Sequence, residues 1–171
     1  MRVGFYIEGG EQLAKNLETL GSRVAKGVVR TAVRRGQQAM LQAAQANARA
    51  LPHAEKRLFV AGKKGEEDIR MAELIARNIV IAAPKKQRPG SYSLHVQMRR
   101  DVPEFRYKAK KTGRETYIPA AIEYGHGASK ESAARPFMRP AAERTREERL
   151  RRLADELRTG ILREAIKGRL A

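Results

Sequence analysis

Apolar residues recur at spacings of three and four along the first part of the chain. They form one helix face that consists of Leu13, Leu17, Leu20, Val24, Val28 and Ala32. The helical pattern continues to Leu51, where Pro52 ends it because the residue before a proline is pushed out of the α region. Gly21, Gly27 and Gly36 lie inside the pattern, and each costs about 1 kcal/mol against alanine. We therefore expect a bend, or close packing of another backbone, between these glycines.

Shorter elements flank this helix. Residues 3–8 predict a short strand, and residues 66–78 predict a second helix whose acidic first residues suit its N-terminal dipole. Residues 78–84 and 92–99 predict a β-hairpin with one buried face, since the second strand alternates Leu94, Val96 and Met98 with polar residues.

Residues 116–125 predict a short helix that ends at Gly125 with an αL cap. From Pro136 or Pro140 onward we expect one long charged helix, with an inward stripe of Leu150, Leu153, Leu157, Ile161 or Leu162, and Ile166. The elements predict an α+β fold, in which a small, mostly antiparallel sheet is packed by a long N-terminal and a long C-terminal helix. A length of 171 residues suits a single domain, 1–171.

Composition narrows the class of protein. Hydrophobic residues make up 42% of the chain but aromatic residues only 5%, which predicts a largely aliphatic core. Cysteine is absent, no apolar run reaches the roughly 20 residues that span a bilayer, and the N-terminus lacks a signal-peptide pattern. We expect a soluble protein that is made in a cytoplasm and does not span a membrane. The 36 Lys and Arg exceed the 19 Asp and Glu by 17, which favours an anionic partner: nucleic acid, an anionic membrane or an acidic protein surface. Of these we expect no membrane partner.

Residues 99–117 lack periodicity and predict a long basic loop or β-arm. Phe105 and Tyr107 lie among its basic residues, a pattern that could follow phosphates and stack on bases. The alternatives are a solvated loop, or an arm that lies on an acidic neighbouring subunit. The candidate contact residues for DNA or for a partner are Arg99, Arg100, Arg106, Lys108, Lys110, Lys111 and Arg114.

Patterns for catalysis are missing from the sequence. It has no phosphate-binding glycine motif and no H-E-x-x-H, and its histidines, His53, His95 and His126, are scattered. Glu123 and His126 could form an acid–base couple, but no nucleophile with an orienting partner accompanies them. We expect neither catalysis nor a metal or cofactor.

Residues 122–143 predict a joint between two parts of the protein. Pro136 and Pro140 bracket Phe137 and fix the direction in which the chain enters the last helix, so Phe137 is predicted to anchor the loop in the core. Arg135 and Arg139 are candidates for pairing with a carboxylate, either Glu123 or a neighbour's acid.

The same stretch resembles a known signature. Glu123, Tyr124 and Gly125 match a short helix that ends in a hydrophobic residue, Glu, an aromatic residue and Gly. The second half of the signature matches Ala134, Pro136, Phe137, Met138, Arg139, Pro140 and Ala141. Together with the basic, Ala-rich first helix, this pattern is similar to the tail-component family of long-tailed phages, named for the tenth gene product of the Hong Kong lambdoid coliphage. His126 departs from it, because the family usually has Thr there.

The resemblance implies a structural protein of the phage head–tail junction, a tail-completion or head–tail joining protein. It would form a ring around the DNA channel, most simply a hexamer, in contact with connector or head-closure and tail-tube or tail-terminator proteins. Genomic DNA in the lumen is a further candidate partner, and the virion is the implied location. The alternative from another class is a small basic DNA-binding protein, which rests on charge alone.

Overall fold

A computed structural model describes residues 22–51, 66–86, 92–108, 113, 115–125 and 133–169. Within these ranges the fold is α+β, as predicted, with five α-helices and two small antiparallel sheets. The predicted strand at residues 3–8 lies outside the described residues, as does the part of the apolar stripe before Ser22.

The long first helix, α1, spans Ser22–Arg49 without interruption across Gly27 and Gly36. The second helix, α2, spans Glu66–Arg77 and begins at its predicted acidic residues. Strands β1 (Ile79–Ala82) and β2 (His95–Met98) pair in one two-stranded sheet. Both predicted strands are therefore present.

The predicted arm contains regular structure of its own. A 3-10 turn at Pro103–Phe105 leads into β3 (Arg106–Lys108), and β3 pairs antiparallel with β4 (Glu115–Tyr117). The sheet content is thus divided between two separate two-stranded pieces. Helix α3 (Ile118–Tyr124) follows β4 directly.

The C-terminal part contains two helices where one was expected, so the prediction of one continuous helix is wrong. Helix α4 spans Met138–Arg144 and α5 spans Arg146–Arg169, with Thr145 between them. The carbonyl of Thr145 accepts the first hydrogen bond of α5, from the N–H of Arg149 at 2.9 Å, as expected of an N-cap residue. Glu148 stands three residues later, the spacing of a capping box.

The chain divides into two compact units. Among the described residues, the first comprises 22–40, 81–86, 92–95 and 145–169, and the second comprises 41–51, 66–80, 96–108, 113, 115–125 and 133–144. In the first unit α1 and α5 pack closely. A Cβ added to Gly36 would lie 3.1 Å from the carbonyl oxygen of Arg149, and one added to Gly160 would lie 2.6 Å from a methyl group of Val28. The close approach expected at the glycines of α1 is confirmed at Gly36.

The inward stripe of α5 ends earlier than predicted. Leu157 is 7% exposed, but Leu162 and Ile166 are 55% and 60% exposed. The prediction that Ile166 faces inward is therefore wrong. Arg149 is instead a buried member of this face, since it precedes Leu153 and Leu157 at spacings of four.

The second unit holds the larger apolar core. Most of its buried side chains come from the four helices α1–α4, with Ile79 and Val96 from the strands, and many are alanines, which allow helices to approach closely. Its largest members are aromatic, however: Phe105 is fully buried and Phe137 is 1% exposed. The described core is otherwise aliphatic, and these two aromatic residues are the exceptions to the prediction.

Candidate interface site

Glu123 lies at the centre of the joint predicted at residues 122–143. Its side chain projects from the last turn of α3 and the residue is only 4% exposed. Oε2 accepts the backbone N–H groups of Phe137 at 2.8 Å and Met138 at 2.9 Å, and Oε1 accepts that of Arg139 at 3.0 Å. These N–H groups belong to the start of α4, where a helix offers donors without intrahelical partners. The carboxylate therefore caps a helix that begins 15 residues later in the chain.

Arg139 pairs with the same glutamate, one of the two partners predicted for it. Its Nε donates to Oε1 of Glu123 at 3.3 Å, and its Nη2 donates to the backbone carbonyl of Glu123 at 2.9 Å. The guanidinium carbon lies 5.3 Å from the centre of the Tyr124 ring, within the range of a cation–π contact. The two donors are thus divided between a carboxylate and a carbonyl, in place of a bidentate pair with one carboxylate.

Arg135 takes part through its backbone. Its N–H donates to the carbonyl of Ile122 at 2.8 Å, while its half-buried side chain makes no ion pair with any residue that the structure describes. We use the term clasp for residues 122–125 and 135–139, whose backbone and side chains are joined by these bonds.

Phe137 anchors the clasp in the second unit, and the prediction of its burial is confirmed. Its carbonyl accepts a hydrogen bond from Nδ2 of Asn47 in α1, at 3.0 Å. Pro136, just before it, and Pro140, in the first turn of α4, are both exposed. Proline is tolerated in a first turn because no intrahelical bond from its nitrogen is required there.

Gly125 ends α3 with φ 81° and ψ 161°. The positive φ agrees with the prediction, but this ψ lies outside the αL region, so the predicted αL cap is corrected. The observed conformation belongs to a region that is essentially restricted to glycine. Beyond it, His126, Ser129 and Ser132 lie outside the described residues, so the suggested Glu123–His126 couple cannot be placed; both oxygens of Glu123 accept the N–H groups named above.

The basic arm is a short hairpin in the same unit. β3 and β4 pair Arg106 with Tyr117, Tyr107 with Thr116 and Lys108 with Glu115. Arg106 also forms an ion pair with Glu115. Of the predicted contact residues, Arg99, Arg100, Arg106 and Lys108 are exposed. Lys110, Lys111 and Arg114 lie outside the described residues.

The base of the arm is fixed by Phe105 and Tyr117. Their rings meet edge to face with centroids 6.1 Å apart, and the Tyr117 hydroxyl donates to the carbonyl of Arg99 at 2.9 Å. Burial raises the pKa of Tyr117, against the opposing influence of Arg100 and Arg106. Because Phe105 is fully buried, it cannot stack on a base, and that part of the prediction is wrong. Tyr107, 40% exposed, remains available for stacking.

The sequence analysis did not predict the burial of two polar residues of the first unit, Gln37 and Arg149. Arg149 is 2% exposed, and its Nη1 lies 3.5 Å from Oε1 of Gln37 and 3.4 Å from the sulfur of Met40. Gln37 also donates from Nε2 to the carbonyl of Leu94 at 3.2 Å. Burial, followed by the charge of Arg146, lowers the pKa of Arg149. The sequence did contain an indication that Arg149 is buried, because it lies on the same face of α5 as Leu153 and Leu157.

Other kinds of site find no support in the described residues. There, no three His, Asp or Glu side chains are grouped so that they could hold a metal ion. In the same part of the chain, no helix is both long and apolar enough to cross a membrane.

Comparisons of the chain with protein families, with curated proteins and with solved structures found no match.

Proposed function

We propose that this chain is a structural protein of the phage head–tail junction, a tail-completion or head–tail joining protein that assembles into a ring around the DNA channel. The resemblance that suggests this role depends on two short sequence stretches separated by a variable loop. In the structure these stretches contact each other, since Glu123 caps the helix that Phe137, Met138 and Arg139 begin. The proposal rests on this contact. Two short matching stretches that bind each other in the structure support the resemblance more strongly than two matches at unrelated places in the fold.

The outer surface of the clasp supports an interface role. Tyr124 is 57% exposed, the Arg139 side chain is 40% exposed, and Pro136 and Pro140 are exposed as well. Aromatic and arginine side chains are enriched at protein interfaces, and here their geometry is already fixed before a partner arrives. The function would therefore be binding and placement of subunits, without turnover.

The partners follow from the same proposal. A surface that meets a different surface on the next copy closes into a ring, and a six-fold tail favours six copies. The exposed end of the basic arm would reach a neighbouring subunit, the connector, the tail tube or the DNA in the lumen. In the virion the protein would lie at the neck, after assembly in the bacterial cytoplasm.

Native mass spectrometry and negative-stain imaging of the purified full chain test the proposal. We expect a closed oligomer, with six copies as the main species, and rings with a central opening. A protein that stays monomeric at micromolar concentration, and that binds DNA in a gel shift with a steep loss between low and moderate salt, would instead support the small DNA-binding protein.

A further inference from the structure

A row of positive charges runs along the exposed surface of α1 in the first unit. Helix α1 contains Arg and Lys but no Asp or Glu over its 28 residues. Lys26, Arg30 and Arg34 follow each other at spacings of four and are all exposed. With a rise of about 1.5 Å per residue, the three form a row about 12 Å long, which we call the basic row.

The basic row has no carboxylate partner among the described residues, a property it shares with other exposed residues such as Arg151 and Arg158 of α5, whereas several basic side chains do have one. Those that pair with Glu include Arg49, Arg77, Arg106, Arg139, Arg152 and Lys167. Like charges at spacings of four repel each other in a helix, so the basic row leaves a repulsion that an external anion would relieve.

Arg30, at the centre of the row, is held in place by an aromatic ring. Its guanidinium carbon lies 5.5 Å from the centre of the Tyr92 ring, a cation–π contact that leaves the charge unneutralised. Tyr92 lies in the β1–β2 connection, which also carries the exposed Lys85 and Lys86 in the same unit. An arginine oriented in this way loses less freedom when it binds an anion.

The surroundings of the row favour nucleic acid over an acidic protein. Gly27 and Thr31 beside it are small and exposed, and the described part of α1 contains no exposed large hydrophobic residue. Protein–protein interfaces have an apolar core depleted in charge, whereas interfaces with nucleic acid are polar and strongly positive. Two acids of α5, Glu156 and Glu164, line a cleft with Gly27 and Thr31, but each has another basic partner. Glu156 lies 3.8 Å from Arg35, and Glu164 lies 2.9 Å from Lys167.

We propose that Lys26, Arg30 and Arg34 bind the phosphate backbone of duplex DNA without regard to its sequence. A duplex carries one charge per about 1.7 Å of its axis, so a row of about 12 Å faces about seven phosphate charges. Each of the three side chains then has a phosphate within reach. This surface lies in the first unit and is distinct from both the clasp and the arm, and the inference does not depend on the neck role.

The test measures binding of a short random-sequence DNA duplex by fluorescence anisotropy at several salt concentrations. The variant Lys26→Gln/Arg30→Gln/Arg34→Gln removes the row. Each lost phosphate contact lowers the slope of log K against log salt by about 0.9, so the slope should become shallower by about 2 to 3. The control, Arg146→Gln/Arg151→Gln/Arg158→Gln, removes the same charge from exposed positions of α5 and should change the slope much less. Arg30→Lys keeps the charge and should keep the slope.

Three outcomes would overturn the proposal: no DNA binding by the wild type, equal slope changes in the row variant and its control, or competition by poly-glutamate as strong as that by DNA. The last would assign the row to an acidic protein. Circular dichroism checks that each variant is folded. Native mass spectra of the same variants separate this proposal from the proposed function, because loss of DNA binding with an unchanged oligomer concerns the row alone.

Discussion

The carboxylate of Glu123 is removed from water, and at this site the protein replaces hydration with three backbone N–H groups and one guanidinium nitrogen. Burial of a charge is costly unless it is paired and hydrogen-bonded. The same bonds satisfy the free donors at the start of α4, which would otherwise need water or a local cap. A single side chain therefore stabilises both the helix it belongs to and the helix it meets.

We expect Glu123→Gln to lower the free energy of unfolding by about 2–3 kcal/mol, because the amide has one acceptor oxygen and hydrogen bonds to a charged group contribute about 1.5–3 kcal/mol. The amide NH2 would also face backbone donors and Arg139. Urea denaturation at neutral pH measures the change. Glu143→Gln, at an exposed position of α4, is the control and should change stability little. Equal stability of the two variants would contradict the capping role.

Phe137→Ala removes the anchor of the clasp. Since the side chain is 1% exposed, we expect a loss of about 3–5 kcal/mol, the usual cost of truncating a buried phenylalanine. Pro136→Ala changes the exposed neighbour and serves as the control for the loop. Thermal melts of the three proteins provide the measurement, and a Phe137→Ala melting temperature equal to that of the wild type would refute the anchoring role.

For individual residues, the sequence predicted the structure best at positions where backbone geometry limits the choice of residue. Prolines on both sides of Phe137 predicted its anchoring, and the glycine after Tyr124 predicted a positive φ. Asn47 and Arg149 were not recognised, because their contacts join positions 90 and 109 residues apart. Such partners depend on tertiary packing, which periodicity does not reveal.

Among the elements, periodicity located the helices and the first hairpin but not the break at Thr145. No proline or glycine marks that break, and it lies within seven consecutive polar residues, 143–149, where apolar periodicity gives no signal. The Thr145–Glu148 capping-box spacing was the signal that identifies a new helix start. The two strands of the arm were not predicted for a different reason. Each has only three residues, which is too short for alternation of polar and apolar positions to be recognised.

The glycines of α1 and α5 give a matched pair of predictions for the packing of these helices. Gly27→Ala places its methyl group in open space and should stabilise the protein by about 0.5–1 kcal/mol through helix propensity. Gly160→Ala places it 2.6 Å from Val28, and overpacking of about 1–3 kcal/mol should cancel or exceed the same gain. Chemical denaturation compares the two variants. Equal stabilisation by both would show that α1 and α5 do not pack as described.

The arm hairpin should respond to alkaline pH through Tyr117. Because burial raises its pKa, the folded protein keeps the phenol protonated where the unfolded chain ionises it. The resulting stability is complete below about pH 10 and is lost as the pH rises through the folded pKa. Tyr117→Phe loses the hydrogen bond to Arg99, at a cost of about 1 kcal/mol, but it also loses this titration.

The stability gap between wild type and Tyr117→Phe should therefore narrow above about pH 10. Urea titrations at neutral and alkaline pH measure it. A gap for Tyr117→Phe that stays constant with pH would exclude the proposed linkage.

At the scale of the whole molecule, which has a net charge of +17, some basic side chains pair with carboxylates and others do not. The clasp neutralises Arg139 within the protein, α5 pairs Arg152 and Lys167 with its own glutamates, and the basic row on α1 has no described acid. Exposed arginines of α5, such as Arg151 and Arg158, are also unpaired among the described residues, so pairing alone does not assign a surface to a partner. The DNA-binding measurements on the row variant and its α5 control are therefore needed to distinguish them.

Arg139→Ala tests the protein surface, on the assumption that the clasp forms the proposed interface. Arg139 is 40% exposed but its partner Glu123 is buried, so the variant loses two hydrogen bonds while three backbone N–H groups stay on the carboxylate. The monomer should therefore stay folded and lose about 1–2 kcal/mol, less than Phe137→Ala. The Tyr124 ring would lose its cation–π contact with Arg139. Because both side chains belong to the proposed interface, self-association should weaken. Sedimentation equilibrium measures the association, and melting temperature measures the fold. Arg144→Ala, an exposed position of the same helix, should leave both unchanged. If Arg139→Ala lowered the melting temperature as much as Phe137→Ala does and left association intact, Arg139 would belong to the fold and the interface would lie elsewhere.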